Sequence, residues 1–474
     1  MMSSLTTEER IYLAMHPVAK APKRVSSNFY TYGNGVYRVG GSDLSLCAYL
    51  VETSAGLIQV NTVPELFKTY FPQLRKLPVA ACVTAPVVTQ LGDTQTGYEF
   101  ELWTSRFIDY ARPHKIKFIG QEPFLRSLYQ RLELTMNGDF VHDELGNRQA
   151  KFVSRRWVDD VFEWHASSDV VELGQVRLDV SNPDGVKIYD KQKLVFDSAQ
   201  YPVSNGGKTG SLYVDMLLSQ VEPLKFDGDK LGLIVGGNGI GTKPGVTSNF
   251  IFFYGNRLVW VDPPARFYEK AAQLGVNPDY ATDFMITHCH EDHIEGFSAL
   301  FQRKLDRDER LNLLSTPAIY AQLQTIFNPI FGDITGNIDF HDLNDREKFQ
   351  NYHGCTIDIR DNYHPIPTIG FRLSYNGRTI GVSGDTLYSK RLLDARLQNG
   401  SIDKAAYEVQ SSEWFSNAEL FLHDTTVSKD PVHTDLEDVE DFAREIPHVK
   451  AFAYHFGVRF ESEFVTPTQF GDRF

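Results

Sequence analysis

The chain is poor in cysteine. Its 474 residues hold four, Cys47, Cys82, Cys289 and Cys355, scattered with no paired spacing. That excludes a disulfide framework and fits reduced thiols in a cytoplasmic protein. A basic surplus is also missing: 47 Lys and Arg stand against 61 Asp and Glu, a net charge of −14. Long nucleic acid is therefore not expected as a partner, because backbone phosphates are bound by clustered Lys and Arg. A small phosphorylated substrate stays open, since a metal centre supplies positive charge locally. No apolar run spans a bilayer: the longest uncharged stretch, 77–92, is too short and contains Pro78 and Pro86, so no membrane association is expected. The N-terminus shows no signal-peptide pattern. Thr6 followed by Glu9 instead reads as a capping box opening a short helix.

What the chain does have is material for two cores. Composition is that of a globular protein, 42% hydrophobic and 23% charged, and the length exceeds what one core usually serves. The expected division is 1–228 and 229–474, with the boundary inside "LKFDGDKLGL" (224–233).

The densest chemistry lies in "ITHCHEDHIEG" (286–296). The preceding apolar run "ATDFMIT" reads as a buried strand, and "FSALFQRKL" after it reads as a helix. His288 and His290, two apart, converge on one ion from an extended or turning backbone. Asp292 and His293 are adjacent, point differently, and suit a second ion close by. Imidazole and carboxylate together ask for a binuclear site of two divalent ions, Zn first, with Mn or Fe as alternatives.

"THCHEDHIEG" matches, without a mismatch, the Thr-His-x-His-x-Asp-His-x-x-Gly signature of the metallo-β-lactamase-fold hydrolases, and the chain resembles them. The resemblance implies an α/β fold, an αββα sandwich with the metals at one edge between its sheets. It also implies further ligands. His364 and Asp385 flank two expected strands, "GFRLSY" and "RTIGVS", joined at the turn residues Asn376-Gly377. His455 follows the strand-like "VKAFAY". The implied assignment puts His288, His290 and His364 on one ion, and Asp292, His293 and His455 on the other. Asp385 bridges, and a water shared between the ions becomes the nucleophile. Asp262, after "RLVWV", reads as a residue supporting the ligands rather than a ligand.

The stretch "LHDTT…VHT" resembles the ribonuclease Z-like phosphodiesterase branch of the fold. The resemblance implies a proton relay to the leaving oxygen made by Asp424 and His433. The departure is Asp424, where the branch usually has Glu. Thr434 and Glu437 read as a capping box for a helix with Leu436, Val439, Phe442 and Ala443 on its apolar stripe, which puts His433 beside a helix N-terminus suited to phosphate. The tRNA-clamping arm of ribonuclease Z has no room between His364 and Asp385, so arm-less phosphodiesterases are the nearer resemblance. The expected substrate is a cyclic nucleotide or a cyclic sugar phosphate. The alternatives are a hydrolase of lactones, thioesters or β-lactams, and a nucleotide-binding module without turnover.

The first half carries a faint repeat of the second. "CAYLVETSAGLIQVNTVPE" (47–65) parallels "SNFIFFYGNRLVWVDPPAR" (248–266), setting Asn61 against Asp262. The stretch 81–100 parallels the motif loop but has no histidine between 81 and 98, and 176–202 parallels the stretch from His364 to Asp385. Residues 1–228 therefore read as a degenerate metallo-β-lactamase-like domain without metal ligands, with Asp93 and Asp197 as remnants. The expected state is a monomer with an internal pseudo-dimer, or a homodimer.

Overall fold

Apolar runs such as "DFM" and "LNLLS" are buried on both faces, as strands covered on both sides must be. In the computed structural model they lie in the middle of the C-terminal half. The described residues are 22–26, 29–40, 47–63, 66–82, 115–135, 139–142, 148–151, 157–166, 170–181, 185–201, 209–222, 224–241, 245–427 and 432–474. Asp93 and the Thr6–Glu9 cap lie outside them.

The C-terminal half contains two six-stranded sheets. The first runs Gly232–Gly237, Asn249–Tyr254, Arg257–Val261, Asp283–Met285, Leu311–Ser315 and Ile338–Asp342, antiparallel for three strands and parallel thereafter. The second runs Thr356–Asp361, Ile369–Tyr375, Arg378–Val382, Leu420–Asp424, Lys450–Tyr454 and Val465–Pro467, with the same change of sense. The sheets face each other through one core. Phe252 meets Phe371 edge-on at 5.7 Å between ring centroids, and Phe250 meets Tyr454 at 5.0 Å.

Helices cover the outer faces. Phe267–Leu274, Phe297–Asp306 and Pro317–Phe331 pack on the first sheet, with Trp260 against Phe267 at 4.7 Å and Phe297 against Phe327 at 4.8 Å. Leu436–Glu445 packs on the second, burying Val439, Phe442 and Ala443, with Phe421 and Phe442 at 5.2 Å. This is the expected αββα sandwich. Asn376 and Gly377 take φ of 48° and 80°, the left-handed pair that a two-residue hairpin needs.

The expected capping box on the last of these helices does not form. Asp435 stands at the N-cap with no side-chain bond to the helix. Thr434 Oγ1 instead donates to the Thr386 carbonyl at 2.7 Å and accepts from Tyr388 N–H at 3.0 Å. A bond to a facing loop has outcompeted the local cap, and it ties the segment carrying His433 to the loop carrying Asp385.

The N-terminal half has an eight-stranded sheet from Lys23–Ser26 through Phe162–Ala166, also antiparallel and then parallel. Beside it is a four-stranded antiparallel sheet spanning Val170–Leu173 to Lys193–Asp197. A shared core joins the two, including Tyr49, Ile58 and Val60 with Leu178, Ile188 and Phe196. Its helix Glu122–Thr135 packs against Pro317–Phe331 of the other half. Among the described residues no helix is long and apolar enough to cross a membrane.

Candidate metal centre

The motif loop leaves the C-terminal end of Asp283–Met285, and the short helix Glu291–Ile294 begins within it. Strand ends and loops from four other places converge on it. His288, His290 and His364 offer nitrogens within 4.8 Å of one another, and so do the ligand atoms of Asp292, His293 and His455. Asp385 lies between the groups: its Oδ2 is 3.7 Å from His288 Nε2, 3.3 Å from His293 Nε2 and 3.3 Å from His455 Nε2. Every one of the expected ligand residues is therefore in one cluster, buried except for the partly exposed Asp292.

The donor set fits cations. His288 Nε2, His293 Nε2, His455 Nε2 and Asp385 Oδ1 are buried without a hydrogen-bond partner, a cost the fold would not carry unless something else satisfied them. His290 Nδ1 and His364 Nε2 face each other at 2.9 Å. Tetrahedral coordination at about 2.0–2.1 Å sets such nitrogens about 3.4 Å apart, so a small adjustment seats an ion between them.

Supporting bonds choose which ring nitrogen points inward. Asp262 Oδ2 pairs with His293 Nδ1 at 2.9 Å, leaving Nε2 toward the cluster. The same carboxylate accepts from Thr287 N–H at 2.8 Å and from its hydroxyl at 2.6 Å, while Thr287 Oγ1 lies 3.1 Å from His288 Nδ1. Asp262 thus has the expected supporting role, and outer bonds of this kind fix ligand orientation. Gly241 N–H reaches Asp292 Oδ2 at 2.9 Å, and a Cβ there would come within 3.1 Å of the Asp292 Cβ. The glycine-rich turn therefore lets backbone approach the ligand.

Strain collects at the same edge. His455 and Asp262 hold φ of 60° and 52°, a region uncommon for residues other than glycine. Gly384, at φ 65°, lets the loop turn into Asp385; a Cβ there would sit 2.1 Å from the Ile369 carbonyl.

Electrostatics follow from close packing. Burial alone would raise the Asp292 and Asp385 carboxyls, but the surrounding imidazoles hold both well below the usual range: His293 and His455 for Asp292, His455, His293 and His288 for Asp385. His288 and His364 are pushed well below the ordinary imidazole value by burial and by one another's neighbours. Both are therefore neutral at pH 7, the form in which an imidazole can coordinate a cation. His293 goes the other way: burial lowers it, but Asp385 and Asp292 outweigh that and raise it.

Asp424 and His433 come together beside this cluster. His433 Nδ1 is 2.8 Å from Asp424 Oδ2 and 4.0 Å from Asp385 Oδ2. The shorter Asp side chain reaches because its backbone is anchored: Asp424 N–H donates to Ser383 Oγ, and Thr386 N–H donates to Asp424 Oδ2, both at 2.8 Å. Burial, with repulsion from Asp385, raises the Asp424 carboxyl against the pull of His433 and His455. His423 is buried behind the strand, bonded through Nδ1 to the Asp424 carbonyl at 2.7 Å and packed against Phe442. It lines the core rather than the site.

No sequence motif points to Ser383 and Thr386, which supply these anchors, or to the pairing of Glu291 with Arg131. Thr287 lies inside the motif, which does not by itself reveal its bonds to Asp262. The others carry no local signature.

Two packed sheets with a His/Asp cluster at their common edge define a metallo-β-lactamase-fold enzyme. The family described as "Anti-Pycsar protein Apyc1" matches residues 232–470, half of the chain, and the chain belongs to that family. It is also similar to two proteins of Dictyostelium discoideum. One is the cGMP-dependent 3',5'-cGMP phosphodiesterase A, 26% identical over 231 residues, covering 47% of this chain and 26% of that protein. The other is the cAMP/cGMP-dependent 3',5'-cAMP/cGMP phosphodiesterase B, 24% identical over 214 residues, covering 42% of this chain and 18% of that protein. The chain thus spans about a quarter or less of the length of these relatives. Among solved structures, the metallo-β-lactamase-fold protein YhfI from Bacillus subtilis is 16% identical at a TM-score of 0.41, covering 52% of this chain and all of that one. A long-form RNase Z from yeast is 9% identical at a TM-score of 0.38, covering 93% of this chain and 72% of that one.

Proposed function

We propose that the chain is a binuclear metal-dependent phosphodiesterase that hydrolyses a small cyclic phosphodiester, a 3',5'-cyclic nucleotide in preference to a cyclic sugar phosphate. The observation that carries this is the Asp424–His433 pair, held at 2.8 Å against the ligand cluster. The family and the names of the two Dictyostelium relatives support it.

His288, His290 and His364 would hold one cation, and Asp292, His293 and His455 the other, with Asp385 between; Zn²⁺ fits the imidazole-rich set, with Mn²⁺ and Fe as alternatives. Bound there, two divalent cations supply a water-derived nucleophile at neutral pH and offset the phosphate charge. Asp262 and Thr287 keep the ring nitrogens of His293 and His288 aimed inward. When water attacks phosphorus and the P–O ester bond breaks, the leaving oxygen needs a proton. His433 delivers it from Nε2, while Asp424 on Nδ1 steadies the imidazolium. The raised Asp424 carboxyl is matched to this task, since a protonated His433 beside it favours its charged form.

Residues 1–228 are read as a degenerate copy of the same fold, so the chain is a monomer with an internal pseudo-dimer or a homodimer, and the expected compartment is the cytoplasm. Hydrolysis of lactones, thioesters or β-lactams would use the same ligands but give the Asp424–His433 pair no task.

The test is His433→Ala assayed on cGMP, cAMP and bis-p-nitrophenyl phosphate. Turnover should fall about 10²- to 10⁴-fold, with metal content unchanged by elemental analysis. Wild-type activity in that variant, or wild-type turnover confined to lactones and thioesters, overturns the assignment. Tight nucleotide binding by metal-loaded protein without hydrolysis would replace it with a binding module.

A further inference from the structure

The motif loop is gripped from outside its own half. Glu291 lies between His290 and Asp292 in sequence and opens the short helix that carries Asp292 and His293. Its carboxylate meets Arg131 at 2.6 Å, with both side chains about nine-tenths buried. Arg131 is on the helix Glu122–Thr135, in the N-terminal half.

A second contact reaches the other side of Asp292. Lys68, buried on the helix Leu66–Leu74, donates from Nζ to the Gly245 carbonyl at 3.0 Å. The next residue, Val246, accepts from Gly239 N–H at 2.8 Å. Two residues on, Gly241 N–H bonds Asp292 Oδ2. The N-terminal half therefore touches both segments that orient Asp292, one through a buried ion pair and the other through the glycine-rich turn.

A buried ion pair is costly to form and adds little to stability over an apolar pair of the same shape. Its return here is geometric. The guanidinium is planar and stiff in its donor directions, so it fixes where the Glu291 backbone sits, and His290 and Asp292 are the adjoining residues.

We propose that the N-terminal half serves as a brace for the metal-ligand loop, with Arg131 as a positioning residue acting through Glu291 on His290 and Asp292. This rests on the reading of the 288–293 loop as a metal site. It assigns the N-terminal half a task at the centre of its neighbour.

The experiment is a Co²⁺ titration of metal-depleted full-length protein, followed by the visible d–d absorption and by chelator competition, with kinetics in parallel. Wild type should take up two equivalents; failure to do so sinks the metal reading, and the brace with it, before any variant is made. Arg131→Met should raise the Co²⁺ dissociation constant about 10- to 100-fold, the range for lost outer partners of a metal site. It should also alter the d–d spectrum and lower kcat more than it raises KM. Arg131→Lys should recover part of the affinity. The swap Arg131→Glu with Glu291→Arg should recover more than either single change retains, which lost packing alone would not produce. A folded Arg131→Met protein with affinity and spectrum within twofold of wild type overturns the brace and leaves the metal reading standing. Where that variant does not fold, Lys68→Met tests the second contact, with a rise of about threefold or more expected; unchanged affinity there likewise overturns the proposal.

Discussion

Asn61 and Asp262 stand at the same corner of two half-chains built alike. Each follows a strand paired antiparallel behind it and parallel ahead: Tyr49 faces Val60 as Phe250 faces Val261, and Cys82 faces Val60 as Met285 faces Val261. Both residues are buried, and both hold left-handed backbone, at φ 59° and 52°. The hairpins agree too, with Lys191 and Gln192 at 49° and 66° where Asn376 and Gly377 have 48° and 80°. The difference is in what each corner serves. Asp262 orients His293 and Thr287. Among the described residues, no group of metal-capable side chains lies in the first half. The four-stranded sheet there ends at Lys193–Asp197, whereas its counterpart continues into the strands that deliver Asp424 and His455. The two corners share backbone geometry but not the side chains around it: φ values and strand register depend on sterics and core packing, while ligation needs particular side chains.

Changes made in parallel on the two halves would break or sharpen this comparison. The largest effect is expected at the ligands. Asp385→Ala should cut phosphodiester turnover by more than about a hundredfold, beyond the loss of an outer partner, and lower bound metal by elemental analysis. Asp197→Ala, whose carboxylate accepts from Ala199 N–H at 3.0 Å, should leave both within about twofold. If Asp197→Ala behaves like Asp385→Ala, the first half is not inert.

A step smaller is the corner itself. Asp262→Asn keeps the shape but loses the charge that holds His293 Nδ1–H, and metal affinity by chelator competition should weaken about 10- to 100-fold. Asn61→Asp should create no metal uptake and should lower thermal stability, because the new carboxylate is buried. Metal gained by Asn61→Asp would show that the first half is closer to a working site than its sequence suggests.

The smallest effect concerns His423, which burial lowers to about 3. A base with a depressed folded value costs nothing above about pH 6.5. Below that the unfolded chain takes the proton first, so stability falls as pH falls toward 3. His423→Phe, amid Tyr388, Phe421 and Phe442, removes this term. Between pH 6.5 and 5 the variant should lose about 2 kcal/mol less than wild type in denaturant unfolding. Equal losses would mean that His423 is hydrated or charged in the fold.

The second half was largely legible because its signals are local. "THCHEDHIEG" sits on a few consecutive residues, Asn376-Gly377 is a turn by its own chemistry, and Val439, Phe442 and Ala443 repeat at helical spacing. The cluster residues far along the chain were reachable because Asp385 and His455 each follow an expected strand and His364 precedes one. Thr434 was misjudged because a local cap and a distant carbonyl compete for one hydroxyl, and sequence shows only the near competitor. The Arg131–Glu291 pair joins positions 160 apart with no period or motif behind it. Only the docking of Glu122–Thr135 on Pro317–Phe331 brings them together.

His455 reaches the cluster from a strand translated long after His288. A ribosome presents the chain in order, so the motif loop, its support at Asp262 and most of both sheets exist before the final imidazole emerges. A chain that stops short of His455 therefore lacks the imidazole whose Nε2 lies 3.3 Å from Asp385 Oδ2. Of the seven clustered residues His455 is therefore the last to be made, an order set by chain direction alone.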